Sequence, residues 1–433
     1  MDSSRKLSLS AKIFTAMILG AVAGLVLNFM GNPEWSQSWL TGGVFFVVGQ
    51  VFISLLKMLV VPLVFVSLVC GSSSLSDPKM LGRVGGKTIG LYLLTTAVAV
   101  SLALTAAVIV KPGIGANPVA ADVADVAEAT PFTRVLIDMV PTNPVAAMAE
   151  GQMLPIIFFA VLIGISLTLS KDAGVRIGDW FRDMNAIIMK LVTIVMRFAP
   201  YGVFSLIAIL AATSNADDFM AVGRYVLLVM VMLFVHALLV YPTLITVLAR
   251  LNPLTFMSKL RAAMIFAFST ASSNATIPVT LETVERRVGV SNKIASFTIP
   301  LGATINMDGT AIMQGIATGF IAQFYGIDLT LSQYLMVVVM VILASIGAAG
   351  VPSVGLVILA GVLAQVGLPA EGIALILGVD RLLDMTRTVV NITGDSTVTT
   401  IVAKSEGELD MDIFNDPDAG LIYEGEVDKA SVG

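Results

Sequence analysis

Long apolar segments recur along most of this chain, separated by short polar stretches. A helix needs about 20 mainly apolar residues to cross a hydrocarbon core of about 30 Å. Most of the segments reach that length, so the pattern predicts an all-α membrane protein. The segments are 13–31, 41–71, 88–110, 132–169, 184–212, 222–249, 264–280, 294–324, 332–366 and 372–403.

The composition agrees with this pattern. Of the 433 residues, 57% are hydrophobic and 13% are charged, and the mean hydropathy is +0.92. Soluble domains carry about 45–50% apolar and about 25% charged residues. The excess apolar surface is therefore expected to contact membrane lipid. Nucleic acid is not expected as a partner.

Cysteine and histidine each occur once, as Cys70 and His236. These counts exclude an internal disulfide framework, a cysteine-built metal site and a histidine cluster. We expect Cys70 to be a small buried hydrophobic residue, and His236 to be a helix residue with satisfied hydrogen bonds.

Basic residues orient the segments, because Lys and Arg collect in cytoplasmic loops. Six simple spans from a cytoplasmic N-terminus bring the chain back inside at Arg250. The acidic stretch 405–433 lacks apolar periodicity and predicts a flexible cytoplasmic tail. We therefore expect a multi-pass protein of the plasma membrane (a prokaryotic inner membrane) with both termini in the cytoplasm.

Two segments do not fit simple spans. Segment 264–280 has basic clusters at both ends and is rich in Ser, Thr and Asn, which predicts a re-entrant hairpin entered from the cytoplasm. Segment 332–366 is too long for one span and is interrupted at Gly347, Gly350, Pro352 and Gly355, which predicts a second hairpin entered from outside. Each is paired with an Asn-x-x-Gly helix, so the two units would be inverted repeats. Such paired, interrupted segments indicate a transporter's binding site.

The last segment carries a polar stripe that is costly in a membrane. Asp380, Asp384, Arg387, Asn391 and Asp395 recur at spacings of four, three, four and four, so they share one helix face. A charged side chain at the bilayer centre costs about 2.5–3.5 kcal/mol on insertion scales. Either these charges pair with one another and hold the helix bundle together, or they bind a charged ligand. We favour ligand binding, because surplus acids suit hard cations and an arginine suits bidentate binding of a carboxylate.

Three motifs in the second half are specific when taken together: Asn306-Met-Asp-Gly-Thr310, Ala344-Ser-Ile-Gly with Ala349-Gly-Val-Pro352, and Asp384-Met-Thr-Arg-Thr-Val-Val-Asn-Ile-Thr-Gly-Asp395. They make the chain resemble the dicarboxylate/amino acid:cation symporter family, which includes the excitatory amino acid transporters and archaeal sodium–aspartate symporters. The resemblance covers essentially the whole chain. It implies eight transmembrane helices, two re-entrant hairpins, inverted repeats, the elevator-type glutamate transporter fold and a homotrimer.

The resemblance also implies how the chain is divided. Its parts would be scaffold helices 1–2 (1–81), transport-domain helix 3 (82–112), scaffold helices 4–5 (113–217), transport-domain helix 6 (218–254), re-entrant hairpin 1 (255–290), helix 7 (291–327), re-entrant hairpin 2 (328–368), helix 8 (369–404) and the cytoplasmic acidic tail (405–433).

The same resemblance implies the site residues. Arg387 would hold the side-chain carboxylate of the substrate, and Asp384 its ammonium group. Its α-carboxylate would bind Asn391 and the region of Ser272 and Ser273. The pocket would be closed by Thr310, Thr388, Val351 and Gly355. The first Na⁺ would bind Gly302, Asn306, Asn391 and Asp395. The second would bind Met307 and the carbonyl groups of Thr304, Ser345, Ile346 and Ala348. The third would bind Tyr92, Thr95, Thr96, Asn306 and Asp308.

Two positions depart from the family. Ala271 stands where archaeal members carry an arginine at the hairpin tip, and Met385 stands where animal members carry theirs. The kinetics of substrate release and any counter-transport are therefore left open.

The pair Asp384 and Arg387 favours aspartate or glutamate as the substrate. Relatives that carry C4-dicarboxylates lack the acid, and those that carry neutral amino acids lack the arginine. The resemblance thus implies symport of an acidic amino acid into the cell with co-transported Na⁺ ions. A proton- or sodium-coupled C4-dicarboxylate symporter and an anion channel stay open as alternatives. An enzyme is not expected, because Ser272 and Ser273 have no paired base on a neighbouring motif.

Overall fold

The computed structural model describes residues 9–73, 81–115, 137, 139–213, 216–346 and 354–420. Most of these residues are helical, and within them the β pairing is limited to one isolated bridge between Val290 and Leu409. The predicted all-α class is confirmed. The main helices are α1 (Leu9–Phe29), α2 (Phe45–Ser73), α3 (Gly86–Val110), α4 (Met153–Leu169), α5 (Lys171–Met196), α6 (Ala199–Thr213), α7 (Ala216–Val235), α8 (Arg261–Thr270), α9 (Ser273–Thr283), α10 (Asn292–Ile305), α11 (Asp308–Phe324), α12 (Leu331–Ser345), α13 (Val354–Gln365), α14 (Asp380–Glu406) and α15 (Met411–Asn415).

Shorter helical pieces link these elements. They are Glu34–Ser36, Pro144–Glu150, Tyr241–Leu244, Pro253–Lys259 and Ile373–Leu377, the 3₁₀ turn Ala370–Gly372, and the wide π-turns Gln37–Val44, Leu81–Gly85, His236–Val240, Ile245–Ala249 and Val284–Val288.

Three helical stretches within the described ranges are long and apolar enough to cross a membrane: Glu34–Cys70, Arg83–Val110 and Met220–Ala249. A fourth results if α5 and α6, which are bent by 48° at their break, count as one span. The expected total of eight spans stays a prediction.

Two segments expected to be simple spans are broken. Segment 132–169 is interrupted at Gly151, whose φ of +69° lies in the left-handed region that favours glycine. Segment 184–212 is interrupted between α5 and α6. Pro200 lies in the first turn of α6, where its missing N–H costs no helical hydrogen bond. Apolar content does not reveal these breaks, because both sides of each break are apolar.

The helices α1, α2, α4, α5 and α6 form a first group. α1 packs along α6 at short range because two glycines leave room for the partner backbone. A β-carbon at Gly20 would lie 2.5 Å from the carbonyl oxygen of Phe204, and one at Gly24 would lie 2.3 Å from that of Ala208. Small residues four apart allow such close approach between membrane helices. α2 in turn packs against α4, α5 and α6.

A second group surrounds α14, which packs against α3, α7, α8, α10 and α11. Hairpin 1 is the pair α8 and α9. It reverses at Ala271, which has a φ of +49°, and Ser272 then caps α9. The two helices have 10 and 11 residues, so each is about 15 Å long, which is half the thickness of a bilayer core. Two helices joined by a tight turn are thus observed, and the re-entrant course of this hairpin through a membrane stays a prediction.

Hairpin 2 is the pair α12 and α13, and the residues between them include 347–353, which lie outside the described ranges. Between α10 and α11 the chain is also non-helical, with φ/ψ of −93°/92° at Asn306 and −115°/46° at Met307. Segment 294–324 is thus two helices that meet at the Asn-Met-Asp-Gly motif, and the break exposes helix termini inside the second group.

The chain after α14 is docked in its described part. The ammonium group of Lys259 donates to the carbonyl oxygens of Arg287 (2.7 Å), Ile413 (2.9 Å) and Asp416 (2.7 Å). The expectation of a flexible tail is therefore wrong up to residue 420. The polar composition of this segment does not prevent docking, because its backbone carbonyls supply the acceptors for a buried cation.

Candidate substrate and cation site

The predicted polar stripe lies on a single helix, α14, and is buried. Asp380, Asp384, Arg387, Asn391 and Asp395 each expose 7% or less of their surface. In a low-dielectric interior, charged groups need partners. The contacts of each group therefore indicate which charges are paired within the protein and which donors remain available to a ligand.

Arg387 pairs with two acids of its own helix. Its Nη2 donates to Asp380 Oδ1 at 2.9 Å and to Asp384 Oδ1 at 2.8 Å. Arg381 Nη1 lies 3.9 Å from Asp384 Oδ2. The expected surplus of acid is therefore wrong for this end of the stripe, and the alternative of internal pairing holds here. The cause is the spacing, because Asp384 and Arg387 are three apart and so lie side by side on the helix.

Arg387 nevertheless keeps unused donors. Its Nε and Nη1 are buried and have no hydrogen-bond partner among the described residues. A β-carbon at Gly355 would lie 3.1 Å from Nη1 and 2.9 Å from Thr310 Cγ2. Three predicted substrate residues, Arg387, Thr310 and Gly355, thus meet between α14, α11 and hairpin 2. Because buried donors are rarely left without an acceptor, this point suits an anionic group.

The other predicted substrate residues are engaged in local contacts. Thr388 Oγ1 donates to the carbonyl of Asp384 at 2.8 Å. Ser272 accepts from the backbone N–H of Ala275 at 3.2 Å, which caps α9, and the adjacent Ser273 is buried. Val351 lies outside the described residues.

Asn391 connects α14 to the break between α10 and α11. Its Oδ1 accepts from the backbone N–H of Gly309 at 2.8 Å, and its Nδ2 donates to Met307 Sδ at 3.3 Å. A β-carbon at Gly309 would lie 2.5 Å from the carbonyl oxygen of Arg387. The predicted substrate and cation residues are thus in direct contact along this seam.

The residues of the first predicted cation group are brought together around Asp395. Asn306 Nδ2 donates to Asp395 Oδ1 at 2.9 Å and lies 3.3 Å from the carbonyl oxygen of Asn391. A β-carbon at Gly302 would lie 2.5 Å from Asp395 Oδ1 and 2.6 Å from the hydroxyl of Tyr92. This cluster is rich in oxygen atoms, and hard cations prefer oxygen ligands.

The residues of the third predicted cation group also come together. Thr95 Oγ1 lies 3.3 Å from Asn306 Oδ1, and Thr96 Oγ1 donates to Asp308 Oδ1 at 2.7 Å. Thr95 Oγ1 also donates to the carbonyl of Tyr92 in its own helix, at 3.0 Å. The first and third groups share Asn306 and therefore form one connected polar network between α3, α10, α11 and α14.

The second predicted cation group is described only in part. Met307 and Ser345 line one narrow cleft with Thr310 and Gln314, and this cleft is too narrow to admit a water molecule. Thr304 Oγ1 donates to the carbonyl of Leu301 in its own helix, at 2.9 Å. Ile346 follows α12 with extended backbone, and Ala348 lies outside the described ranges.

Sequence reasoning missed three contributors. His236 and Tyr241 both contact Asp308 Oδ2, at 3.2 and 2.8 Å, although His236 was expected to be an ordinary satisfied helix residue. Gln314 Nε2 donates to the carbonyl of Gly355 at 3.1 Å and so holds the start of α13 to α11. The only sequence signal for His236 was that a polar, ionisable residue inside an apolar span is expensive.

The fold and this site define a class: a multi-pass helical membrane protein with a buried, charged site between broken helices. The model of the sodium:dicarboxylate symporter family matches residues 9–405. The chain belongs to this family.

Similar proteins of known name match nearly the whole chain. The proton/glutamate-aspartate symporter of Escherichia coli K12 is 38% identical over 98% of this chain and 97% of its own. The proton/sodium-glutamate symport protein of Bacillus caldotenax is 35% identical over 93% and 96%. The C4-dicarboxylate transport protein of Bacillus subtilis 168 is 30% identical over 93% and 94%.

Proposed function

We propose that this protein is a secondary active symporter that carries an acidic amino acid, aspartate or glutamate, into the cell together with cations. The observation that carries the proposal is the pair of buried donors on Arg387, Nε and Nη1, that have no hydrogen-bond partner within the described ranges. Nη1 faces Gly355 and Thr310, so an entering carboxylate meets it without first displacing Asp380 or Asp384. The names of the Escherichia coli and Bacillus caldotenax relatives agree with this substrate class.

Sodium is the proposed co-transported ion. The network around Asp395 and Asp308 supplies carboxylate, amide, hydroxyl and carbonyl oxygens, which are ligands for hard cations. A multi-ion cycle gives a large driving force. Three Na⁺ ions entering down a tenfold gradient, with two net charges crossing 100 mV, would supply about 9 kcal/mol.

The proposed architecture is an elevator within a homotrimer, with eight transmembrane helices, two re-entrant hairpins and cytoplasmic termini. Its support is the division of helices into two groups. The described substrate and cation residues lie in α3, α10, α11, α14 and the hairpins, whereas α1, α2, α4, α5 and α6 supply none of them. Hairpin 2 contacts both groups, since α13 packs against α2 and α12 against α4.

Uptake into sealed proteoliposomes tests this function. Labelled aspartate, glutamate, malate and serine are supplied in turn, each with an inward Na⁺ gradient or with a proton gradient only. We expect saturable accumulation of aspartate and glutamate with Na⁺, and little accumulation of serine. Failure to accumulate any acidic substrate under either gradient would refute the symporter proposal, and non-saturable flux would favour the anion channel.

A C4-dicarboxylate symporter is the second candidate, favoured by the name of the Bacillus subtilis relative. Malate transport in preference to aspartate would establish it. The proton-only arm decides the coupling ion, because the Escherichia coli relative is named as a proton symporter and the Bacillus caldotenax relative as a proton/sodium symport protein. Asp384 argues for the amino acid, since a carboxylate beside Arg387 offers a partner for an ammonium group.

A further inference from the structure

His236 and Tyr241 lie against a residue of the proposed cation site. The carboxylate of Asp308 receives three side-chain contacts: Thr96 Oγ1 on Oδ1 at 2.7 Å, and on Oδ2 Tyr241 OH at 2.8 Å and His236 Nε2 at 3.2 Å. Asp308, Tyr241 and His236 expose 1% of their surface or less. Oδ1 is thus directed toward α3, and Oδ2 is held by the chain that follows α7.

A π-turn in that chain places both side chains on Asp308. In a regular α-helix, residues five apart point about 140° away from each other. The turn His236–Val240 is wide, and the backbone N–H of Tyr241 bonds to the carbonyl of His236, which is the five-residue pattern of a π-turn. The two rings therefore pack edge to face, with centroids 4.7 Å apart. Such bulges occur frequently at functional sites.

The histidine contact has a defined direction. As a cation ligand Asp308 is ionised, and a carboxylate oxygen offers only lone pairs, so the proposed site assigns the hydrogen to His236 Nε2. Nδ1 is buried and has no hydrogen-bond partner among the described residues. The single hydrogen of the Tyr241 hydroxyl has two nearby acceptors, Asp308 Oδ2 and the carbonyl of Val390 at 3.1 Å. Of the two groups on Oδ2, His236 is therefore the one whose hydrogen is directed at Asp308 alone.

We infer that His236 is a positioning residue for cation binding: its Nε2–H holds Oδ2 of Asp308, so that Oδ1 stays on the hydroxyl of Thr96. The neighbouring Thr95 is the residue whose hydroxyl meets Asn306. The inference rests on the proposed function, since it concerns a cation site of the symporter. Loss of this donor frees the carboxylate to rotate away from the other ligands, which lowers the affinity for the ion. The substrate contact at Arg387 is formed by other residues and is affected less.

Two amide substitutions separate the two ring nitrogens. The side-chain nitrogen of His236→Gln lies as many bonds from Cα as Nε2 does, whereas that of His236→Asn corresponds to Nδ1. We expect His236→Gln to retain the Na⁺ half-saturation of the unaltered protein within about threefold. We expect His236→Asn and His236→Leu to raise it at least tenfold, with less than a threefold change in the KM for aspartate at saturating Na⁺. Thr243→Val is the matched control, because Thr243 is exposed on the same stretch of helix and bonds only to Leu239.

Two readouts are used: Na⁺ titration of aspartate uptake, and the Na⁺-dependent rise in the thermal unfolding temperature of the purified protein, which needs no transport. Equal impairment of the Gln, Asn and Leu variants would show that the ring only fills space and would overturn the inference. Unchanged Na⁺ titrations in all three would also overturn it. If the unaltered protein shows no Na⁺ dependence in either readout, the proposed sodium coupling fails together with this inference. If the unaltered protein depends on Na⁺ and only the variants differ from expectation, this inference alone fails, so the two cases are distinguishable.

Discussion

Replacing Arg387 with lysine tests the centre of the site. Lysine keeps the positive charge and three donors, which are enough for the contacts with Asp380 and Asp384. It has no second planar nitrogen to face Gly355, where Nη1 now lies. The variant therefore loses the charged hydrogen bond proposed for the substrate carboxylate. Such a bond is worth about 1.5–3 kcal/mol, which corresponds to aspartate binding that is weaker by about 10- to 150-fold.

The dissociation constant for aspartate is measured calorimetrically on purified protein at saturating Na⁺, and thermal unfolding checks that the variant is folded. Lysine is preferred to alanine here. Removing the guanidinium would take a charged partner from two buried acids, at a cost of about 3–5 kcal/mol. Arg381→Lys is the control on the same helix, because its contact with Asp384 is 3.9 Å long and we expect less than about a threefold change. If Arg387→Lys binds aspartate as tightly as the unaltered protein, the assignment of Nη1 is wrong.

Three further predictions concern the cation network and the docked C-terminal segment. Asp395→Asn removes the charge that Asn306 now contacts; we expect the Na⁺ half-saturation of uptake to rise by about tenfold, or about 1.4 kcal/mol, and an unchanged titration would contradict the site. Lys259→Met removes the donor to three carbonyl groups, and each group left unpaired costs about 1–3 kcal/mol. We therefore expect faster hydrogen exchange of the amides in α15. Lys293→Met is the control, because it alters an exposed pair and should have little effect. The hydrogen bond from Lys293 holds the pKa of Glu408 below its ordinary value of 4.5, so this contact stabilises the segment above that pH and is lost as the pH falls through the lowered pKa. Because the pair is exposed, we expect only a small fall in the exchange protection factors after α14, taken relative to the intrinsic exchange rate at each pH; the same pH dependence in Lys293→Met would contradict it.

The stripe on α14 could be predicted because it depends on helix geometry alone. Residues at spacings of three and four share a face in any helix, and the cost of burying them is a property of the side chains. Hairpin 1 could be predicted for a similar reason, because its small polar residues and flanking charges exclude a lipid-facing span. The breaks at Gly151 and before Pro200 were missed, since apolar patterning does not distinguish one long helix from two packed short ones.

Contacts between helices depend on register, which local sequence does not carry. The approach of His236 and Tyr241 to Asp308 requires a π-turn, and a regular helix drawn from the sequence places these side chains on different faces. Gln314 reaches Gly355 only because α11 and α13 pack together. The docking of the segment after α14 likewise depends on Lys259, which is more than 150 residues away from its partners in that segment.

The amino-acid order alone thus established the membrane class, the helical hairpin at 264–280, and the set of ionisable and amide side chains that must be buried together. It did so because hydrophobicity and helical spacing are local properties. Which acid pairs with Arg387, which donors hold Asp308, and where the end of the chain docks were decided by the packed helices. These outcomes depend on distances of a few ångströms between segments far apart in the chain, and in a low-dielectric interior such distances determine which charges pair with each other and which remain available to a substrate.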